Sequence, residues 1–110
     1  MSPEDFAALA LSLPDVEENS HFGNRDFRVG GKIFATLPSP AHANLKFTPD
    51  QQAMMVEMHG ELFAALAKSW GARGWTSLSL ADCPPDIARL AIERARENVL
   101  RKPKSRKRSF

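Results

Sequence analysis

Residues 26–37 read Asp26-Phe27-Arg28-Val29-Gly30-Gly31-Lys32-Ile33-Phe34-Ala35-Thr36-Leu37, and the fold is read most clearly from this segment. Two runs of strand-like composition, residues 26–29 and 32–37, flank a pair of glycines. A two-residue hairpin turn requires positive φ at both central positions, and glycine adopts that conformation without strain. The segment therefore predicts an antiparallel β-hairpin whose turn is Gly30-Gly31.

Three further strands are predicted around this hairpin, over residues 18–22, 44–47 and 75–80. Between them, residues 38–43 hold two prolines and are predicted to form a loop. Residues 62–66 are predicted to form a helical turn and residues 71–74 a tight loop bracketed by glycines. The sheet would then contain about five strands.

Three helices are predicted from their start signals. Ser2-Pro3-Glu4-Asp5 combines a cap, a first-turn proline and two acids, and predicts a helix over residues 3–13. Thr48-Pro49-Asp50-Gln51 is the strongest local signal, because Gln51 can reach back to the cap. This second helix is predicted to reach about His59. Its methionines are expected to face inward, namely Met54, Met55 and Met58.

The last helix is predicted to start at Pro84-Pro85-Asp86 and to bury an apolar stripe that ends near Val99. The element order is thus α-β-β-β-β-α-β-α. Short connections favour antiparallel pairing, so the expected fold is α+β: a two-layer sandwich with an antiparallel sheet and helices on one face. Residues 1–100 are expected to form this single domain, followed by a basic disordered tail over residues 101–110.

Side-chain alternation along the strands separates the two faces of the predicted sheet. Core-facing residues would include Leu45, Phe47 and Leu78, and Phe22 would lie on the face opposite His21. The helix-free face is expected to carry a mixture of basic, aromatic and apolar residues. These are His21, Arg28, Ile33, Leu37, Lys46 and Trp75. Alternatively, a bulge at Gly30-Gly31 would return Ile33 and Leu37 to the core.

Charge is distributed unevenly along the chain. The net charge is +2, but six of the fifteen basic residues lie in the last ten positions, and residues 1–100 carry a net charge of −4. Such a tail is not expected to fold alone. It is interpreted either as a solvated solubility tail or as an arm that binds nucleic acid. An acidic body is poorly suited to binding a polyanion, so the tail would supply the missing cations.

Catalytic and metal-binding signals are weak. Cys83 is the single cysteine, which excludes an intrachain disulfide and fits a reducing compartment, so the chain is expected to be cytoplasmic. No apolar run resembles a secretory signal or a membrane span. The histidines and Cys83 lack metal-ligand spacing, and residues 71–74 lack the lysine of a P-loop. The chain is therefore predicted to be non-catalytic, with no metal and no cofactor.

The chain resembles the MmcQ/YjbR family in an ordered set of segments. These are His21-Phe22-Gly23, residues 27–35, Leu45-Lys46-Phe47 before the Thr48-Pro49 cap, and residues 70–76. The resemblance covers about residues 2–100 and implies a small two-layer α+β fold. It also implies DNA binding through a double wing of hairpin loops. The wings would be the Gly30-Gly31 turn and the loop at residues 38–43.

This chain departs from the family pattern at two positions. Members often place basic residues where Ala72 and Ser77 stand here, so two potential phosphate contacts are missing. The first hypothesis is nonetheless a DNA-binding protein that uses cations and one tryptophan of the body together with the tail. The body residues are Arg28, Lys32, Lys46, Arg73 and Trp75, and the tail residues are Arg101, Lys102, Lys104, Arg106, Lys107 and Arg108.

The alternative is a protein-interaction or homodimerising module that uses the outer sheet face around Ile33, Leu37 and Trp75. The DNA hypothesis requires the four body cations to lie on one continuous surface. The interaction hypothesis requires an exposed apolar patch larger than a few hundred Å². The sequence gives neither a DNA target nor an oligomeric state.

Overall fold

Six strands form one open sheet in the computed structural model, which describes residues 1–100. They are β1 (Val16–His21), β2 (Asn24–Val29), β3 (Lys32–Ser39), β4 (His42–Lys46), β5 (Phe63–Ala65) and β6 (Trp75–Ser79). Their spatial order is β1-β2-β3-β4-β6-β5, and every neighbouring pair is antiparallel. The predicted α+β class with an antiparallel sheet is confirmed. The predicted basic tail, residues 101–110, lies outside the described residues.

Four helices accompany the sheet: α1 (Pro3–Leu11), α2 (Pro49–Met58), α3 (Lys68–Ala72) and α4 (Pro85–Leu100). Both predicted N-terminal caps are present. The Asp5 backbone N–H donates to Ser2 Oγ at 3.0 Å, and the Gln51 N–H donates to Thr48 Oγ1 at 3.1 Å. In α2 the Thr48 N–H donates in return to Gln51 Oε1 at 3.0 Å, which completes the capping box.

The hydrophobic core lies between the sheet and helices α1 and α4. Helix α4 packs on β2, β3 and β4 through a stripe of buried small and branched residues, which are Ala88, Ala91, Ile92 and Ala95. The small alanines allow the helix to approach the sheet closely. From α1, Phe6 packs edge to face on Phe27 of β2, with ring centroids 5.9 Å apart. The opposite sheet face, which α1 and α4 leave uncovered, is called the outer face below.

The predicted hairpin is present, with Gly30 at φ +60° and Gly31 at φ +80°. Its register contains a bulge that the sequence did not predict at this position. Arg28 pairs with Ile33 and Phe27 pairs with Ala35, which leaves Phe34 as an extra residue in β3. One extra residue inverts the alternation beyond it. Ile33 therefore faces outward as predicted.

The same bulge returns Leu37 to the core, where it is buried. The prediction that Leu37 faces outward is therefore wrong. The alternative prediction correctly expected a bulge in this hairpin but placed it at Gly30-Gly31. The turn has no extra residue, because Val29 pairs with Lys32 directly across it.

The loop predicted over residues 38–43 is wrong. Strand β3 continues to Ser39, β4 begins at His42, and these two residues pair across a turn of Pro40 and Ala41. The register shifts between Thr36 and Ser39, so Pro38 falls where the ladder is already irregular. The second expected wing is thus a tight two-residue turn.

Three other expectations differ from the structure. Residues 63–65 form the edge strand β5, because they pair with β6, and the predicted helical turn there is wrong. Phe22 lies in the β1–β2 turn at φ +51° and is 99% exposed, so it does not face the core. In α2 only Met55 is buried, while Met54 and Met58 are exposed, because this helix packs against the short edge strand β5.

Candidate ligand-binding groove on the outer sheet face

The outer face carries an open groove with a volume of about 380 Å³. Its lining combines aromatic, aliphatic and uncharged polar side chains. They are His21, Asn24, Ile33, Thr36, Pro38, Asn44, Leu66, Trp70 and Trp75. Cross-strand pairing explains the arrangement: Thr36 pairs with Asn44 and Asn44 pairs with Ser77, so a polar row runs across the middle of the outer face. We call this depression the outer groove.

Two tryptophans form one wall of the outer groove. Trp75 is half-buried on β6, whereas Trp70 projects from α3 and is 57% exposed. Their ring centroids lie 6.3 Å apart with the planes at 74°. The side chain of Gln52 in α2 donates to the Gly71 and Trp75 carbonyls, each at 3.0 Å, and thereby ties α3 and β6 to the body of the protein.

Helix α3 is the element that sequence reasoning missed, since residues 71–74 were predicted to be only a tight loop. Its glycines permit close backbone contact. A Cβ on Gly71 would lie 1.8 Å from the Leu66 carbonyl oxygen, and a Cβ on Gly74 would lie 1.9 Å from the Phe47 carbonyl oxygen. In the sequence, these two glycines therefore indicated close contact with a neighbouring backbone as well as a turn.

Cations gather at the margin of the outer groove beside α3. Lys46 pairs across the strands with Trp75, and its Nζ lies 5.9 Å from the Trp75 ring centroid. The same Nζ donates to the Arg73 carbonyl oxygen at 2.7 Å. Burial lowers the pKa of Lys46, and the positive charge of Arg73 lowers it further. Lys46, Arg73 and Trp75, all predicted site residues, are therefore brought together.

The remaining predicted body cations occupy different surroundings. Arg28 lies on the outer face but is bound to a carboxylate, as described below. Lys32 pairs with Val29, whose side chain is buried, so Lys32 lies on the helix side of the hairpin at its exposed end. The predicted site residues of the tail lie outside the described part of the chain.

A buried carboxylate, Asp26, organises the other end of the outer face. Arg28 donates to it twice, from Nε at 2.8 Å and from Nη2 at 3.1 Å, and His21 Nδ1 lies 2.6 Å from its Oδ2. The Arg28 hydrogen bonds hold the pKa of Asp26 below its usual value; burial opposes this and the His21 hydrogen bond reinforces it. Because an ionised carboxylate only accepts hydrogen bonds, the proton of this contact sits on His21 Nδ1.

Sequence reasoning missed Asp26 as an organising residue. The available signal was an acid two positions before an arginine in a strand, which places both side chains on one face. The consequence is that Arg28 is largely neutralised, and that His21, which lines the outer groove, is held by its Nδ1 on Asp26.

Ion pairing separates the nine cations of residues 1–100 into two groups. Arg25, Arg28, Arg89 and Arg94 pair with carboxylates. Within the described residues, five cations make no ion pair, and three of these lie on or next to α3. They are Lys46, Lys68 and Arg73, and of these Lys68 was not predicted as a site residue. Unpaired positive charge is thus concentrated on and around α3, the helix that contributes Trp70 to the outer groove.

No metal centre or membrane span is found in residues 1–100. They contain no cluster of three or more His, Cys, Asp or Glu side chains that could hold a metal ion. Burial raises the pKa of the Cys83 thiol, which disfavours its reactive thiolate. No helix of this part of the chain is both long and apolar enough to cross a bilayer. The absence of a metal or cofactor stays a prediction.

Comparison with known proteins gives one family match and several structural matches. The YjbR family matches residues 11–98. A Deinococcus radiodurans protein, DR2400, described as having a DUF419 domain, is similar with a TM-score of 0.75 and 18% identity, over 93% of this chain and 80% of that chain.

A protein from Pseudomonas syringae is similar with a TM-score of 0.69 and 13% identity, over 89% of this chain and 98% of that chain. A comparison with curated proteins gives no match. Identities this low show a shared fold alone.

Proposed function

The chain belongs to the YjbR family, and from that premise we propose that it is a non-catalytic DNA-binding protein that contacts its ligand through the margin of the outer groove. The family resemblance supports DNA as the ligand. The observation that carries the proposal is the contact of Lys46 with Arg73 and Trp75, on a body whose other surfaces hold mostly paired cations. Lys68 adds a further unpaired cation in the adjoining helix α3.

Phosphate contacts at this cluster have a clear physical basis. Arg73 is exposed at the C-terminal end of α3, and its guanidinium is free of ion pairs within residues 1–100. A guanidinium can bind a phosphate through two parallel hydrogen bonds. Because residues 1–100 carry a net charge of −4, a polyanion is attracted only where positive charge is concentrated.

Only one of the two hairpin loops expected for a double wing has a form and charge that support DNA contact. The Gly30-Gly31 hairpin has the expected form and carries Lys32 at its exposed end. The second wing is a turn of two residues, Pro40 and Ala41, that carries no charge. Within residues 1–100 we therefore assign the main contact to the groove margin, with the hairpin as an accessory contact.

The test is a charge reversal at the margin with a matched control on the helix side. Arg73→Glu and Arg89→Glu change the net charge equally, and both side chains are exposed, but Arg89 lies on α4. Fluorescence anisotropy with single-stranded and double-stranded oligonucleotides at about 50 mM salt should show at least about tenfold weaker binding for Arg73→Glu. Arg89→Glu should weaken binding by no more than about threefold.

Two outcomes would contradict the proposal. Equal losses in the two variants would mean that only net charge matters. No binding of either oligonucleotide by the unmodified chain at low salt would remove the DNA function altogether.

The second candidate function is a homodimerising or protein-interaction module on the same face. The observation that favours it is Phe22, which is 99% exposed at the tip of the β1–β2 turn, next to the groove residues His21 and Asn24. Burial of Leu37 removes one of the anchors expected for this interface. Sedimentation equilibrium of the unmodified chain and of Phe22→Ser tests it, since a dimer formed here should dissociate in the variant.

A further inference from the structure

The interior of the outer groove differs chemically from its margin. Of the nine residues that line the outer groove, only His21 can carry a charge. The lining side chains that can form hydrogen bonds are the amides of Asn24 and Asn44, the hydroxyl of Thr36, the His21 ring and the indole N–H groups of the two tryptophans. Cations lie outside this lining, with Lys46 and Arg73 next to the Trp75 wall. A phosphate would be poorly accommodated inside and well accommodated at the margin.

This division suits a ligand that joins flat, uncharged, hydrogen-bonding rings to an anionic chain. Aromatic side chains bind unpaired bases by stacking, and amide side chains pair with base edges. The groove volume of about 380 Å³ lies within the range of ligand sites. Trp70 is the better platform of the two tryptophans because 57% of its surface is open to solvent.

We infer that the outer groove binds unpaired bases of single-stranded DNA, with Trp70 and Trp75 as stacking surfaces and Lys46 and Arg73 at the phosphates. This inference rests on the proposed DNA-binding function and makes it more specific. Bases of a duplex are stacked on one another and paired, so their faces and Watson–Crick edges are not available to the groove. The groove therefore favours single strands over duplexes.

The chain offers a direct reporter for this site. Its two tryptophans, Trp70 and Trp75, both line the outer groove, so intrinsic tryptophan fluorescence reports on the groove and on no other surface. Stacked bases quench tryptophan emission. Titration of the full chain with an oligothymidine of about a dozen nucleotides should quench this emission, and a duplex of equal length should bind at least about tenfold more weakly.

Three variants separate stacking from simple loss of stability. Trp70→Ala should weaken oligothymidine binding by about tenfold or more, as expected for the loss of one stacked base. Trp70→Phe keeps an aromatic face and should retain most of the affinity. Met58→Ala is the control, because Met58 is a similarly exposed apolar side chain, 62% accessible, on α2 and outside the groove lining. It should leave affinity unchanged.

The outcomes distinguish this inference from the function on which it rests. If the oligonucleotide binds, as measured by anisotropy, but neither quenches tryptophan emission nor responds to Trp70→Ala, the base-binding groove is wrong while DNA binding stands. Equal affinity for single strand and duplex also overturns the groove inference alone. If no oligonucleotide binds, the proposed function fails and the groove inference fails with it.

Discussion

At the scale of single residues, Asp26 is the most unusual position in the chain. It is a fully buried carboxylate on the outer face of the sheet, whereas Asp side chains are almost never fully buried unless they are paired. Its cost of burial is offset by three hydrogen bonds from two neighbours, Arg28 and His21. The same contacts fix the direction of the His21 ring at the edge of the outer groove.

We expect Asp26→Asn to lower the free energy of unfolding by about 2 kcal/mol at neutral pH, because Arg28 and His21 lose an anionic partner. The folded-state pKa of Asp26 is depressed, so its stabilisation is present above the unfolded pKa of about 4 and is lost as the pH falls through the folded pKa. The difference between the two proteins should therefore shrink steadily below about pH 4. Urea denaturation at about pH 7 and about pH 2 measures both effects.

Asp82→Asn is the matched control for this prediction, because Asp82 is exposed and has no ion pair in the described part of the chain. It should change stability by less than about 0.5 kcal/mol at either pH. A stability difference for Asp26→Asn that stays constant down to about pH 2 would show that the carboxylate charge is not what stabilises this site.

At the scale of elements, α3 determines the shape of the outer groove, although it has only five residues. It is held against the ends of β4 and β5 by two glycine contacts and by the Gln52 side chain. At Gly74 two constraints coincide: φ is +106°, and a Cβ would lie 1.9 Å from the Phe47 carbonyl oxygen. At Gly31, φ is +80° but a Cβ would meet nothing within 4 Å.

The two positions separate backbone strain from steric exclusion. Gly31→Ala should cost about 1 kcal/mol, since only the left-handed conformation opposes the new side chain. Gly74→Ala should cost about 3 kcal/mol or more, because the backbone of α3 or of Phe47 must move as well. Thermal unfolding of both variants gives the comparison. Equal melting temperatures would mean that α3 is not held closely at Phe47.

At the scale of the whole molecule, the folded body is acidic, and six of the fifteen basic residues lie in the last ten positions. Residues 1–100 have a net charge of −4, and the edge of the sheet near β1 pairs Arg25 with both Glu4 and Glu18. These two carboxylates raise the pKa of Arg25 far above its ordinary value. If the protein binds DNA as proposed, the non-specific attraction has to come from the groove margin and from the six cations of residues 101–110.

We expect the six tail cations to dominate the salt dependence of DNA binding. Neutralisation of about six phosphates gives a log–log salt slope of roughly −5 on a duplex, with little sequence preference. Removal of residues 101–110 should remove most of the affinity at low salt and flatten the slope. A chain of unchanged length with glutamine at the six basic positions is the control for length. If the shortened chain binds duplex DNA as tightly as the full chain, the tail has no role in binding.

Local signals in the sequence determined much of the architecture. The caps at Ser2 and Thr48 and the glycine turn of the hairpin are confirmed, because each depends on hydrogen bonds or dihedral angles within a few residues. Alternation also placed His21, Arg28, Ile33, Lys46 and Trp75 on the helix-free face, as the register shows. These features need no knowledge of distant parts of the chain.

Only the tertiary structure decided the bulge at Phe34, the burial of Asp26 and the position of α3. The bulge is set by how Phe34 and Leu37 pack in the core, and core packing depends on residues far apart in sequence. Strand β5 and helix α3 are too short for a periodic signal and exist because β6, Gln52 and Phe47 provide partners for them. The outer groove depends on all of these contacts together, so no local pattern in the sequence could predict it.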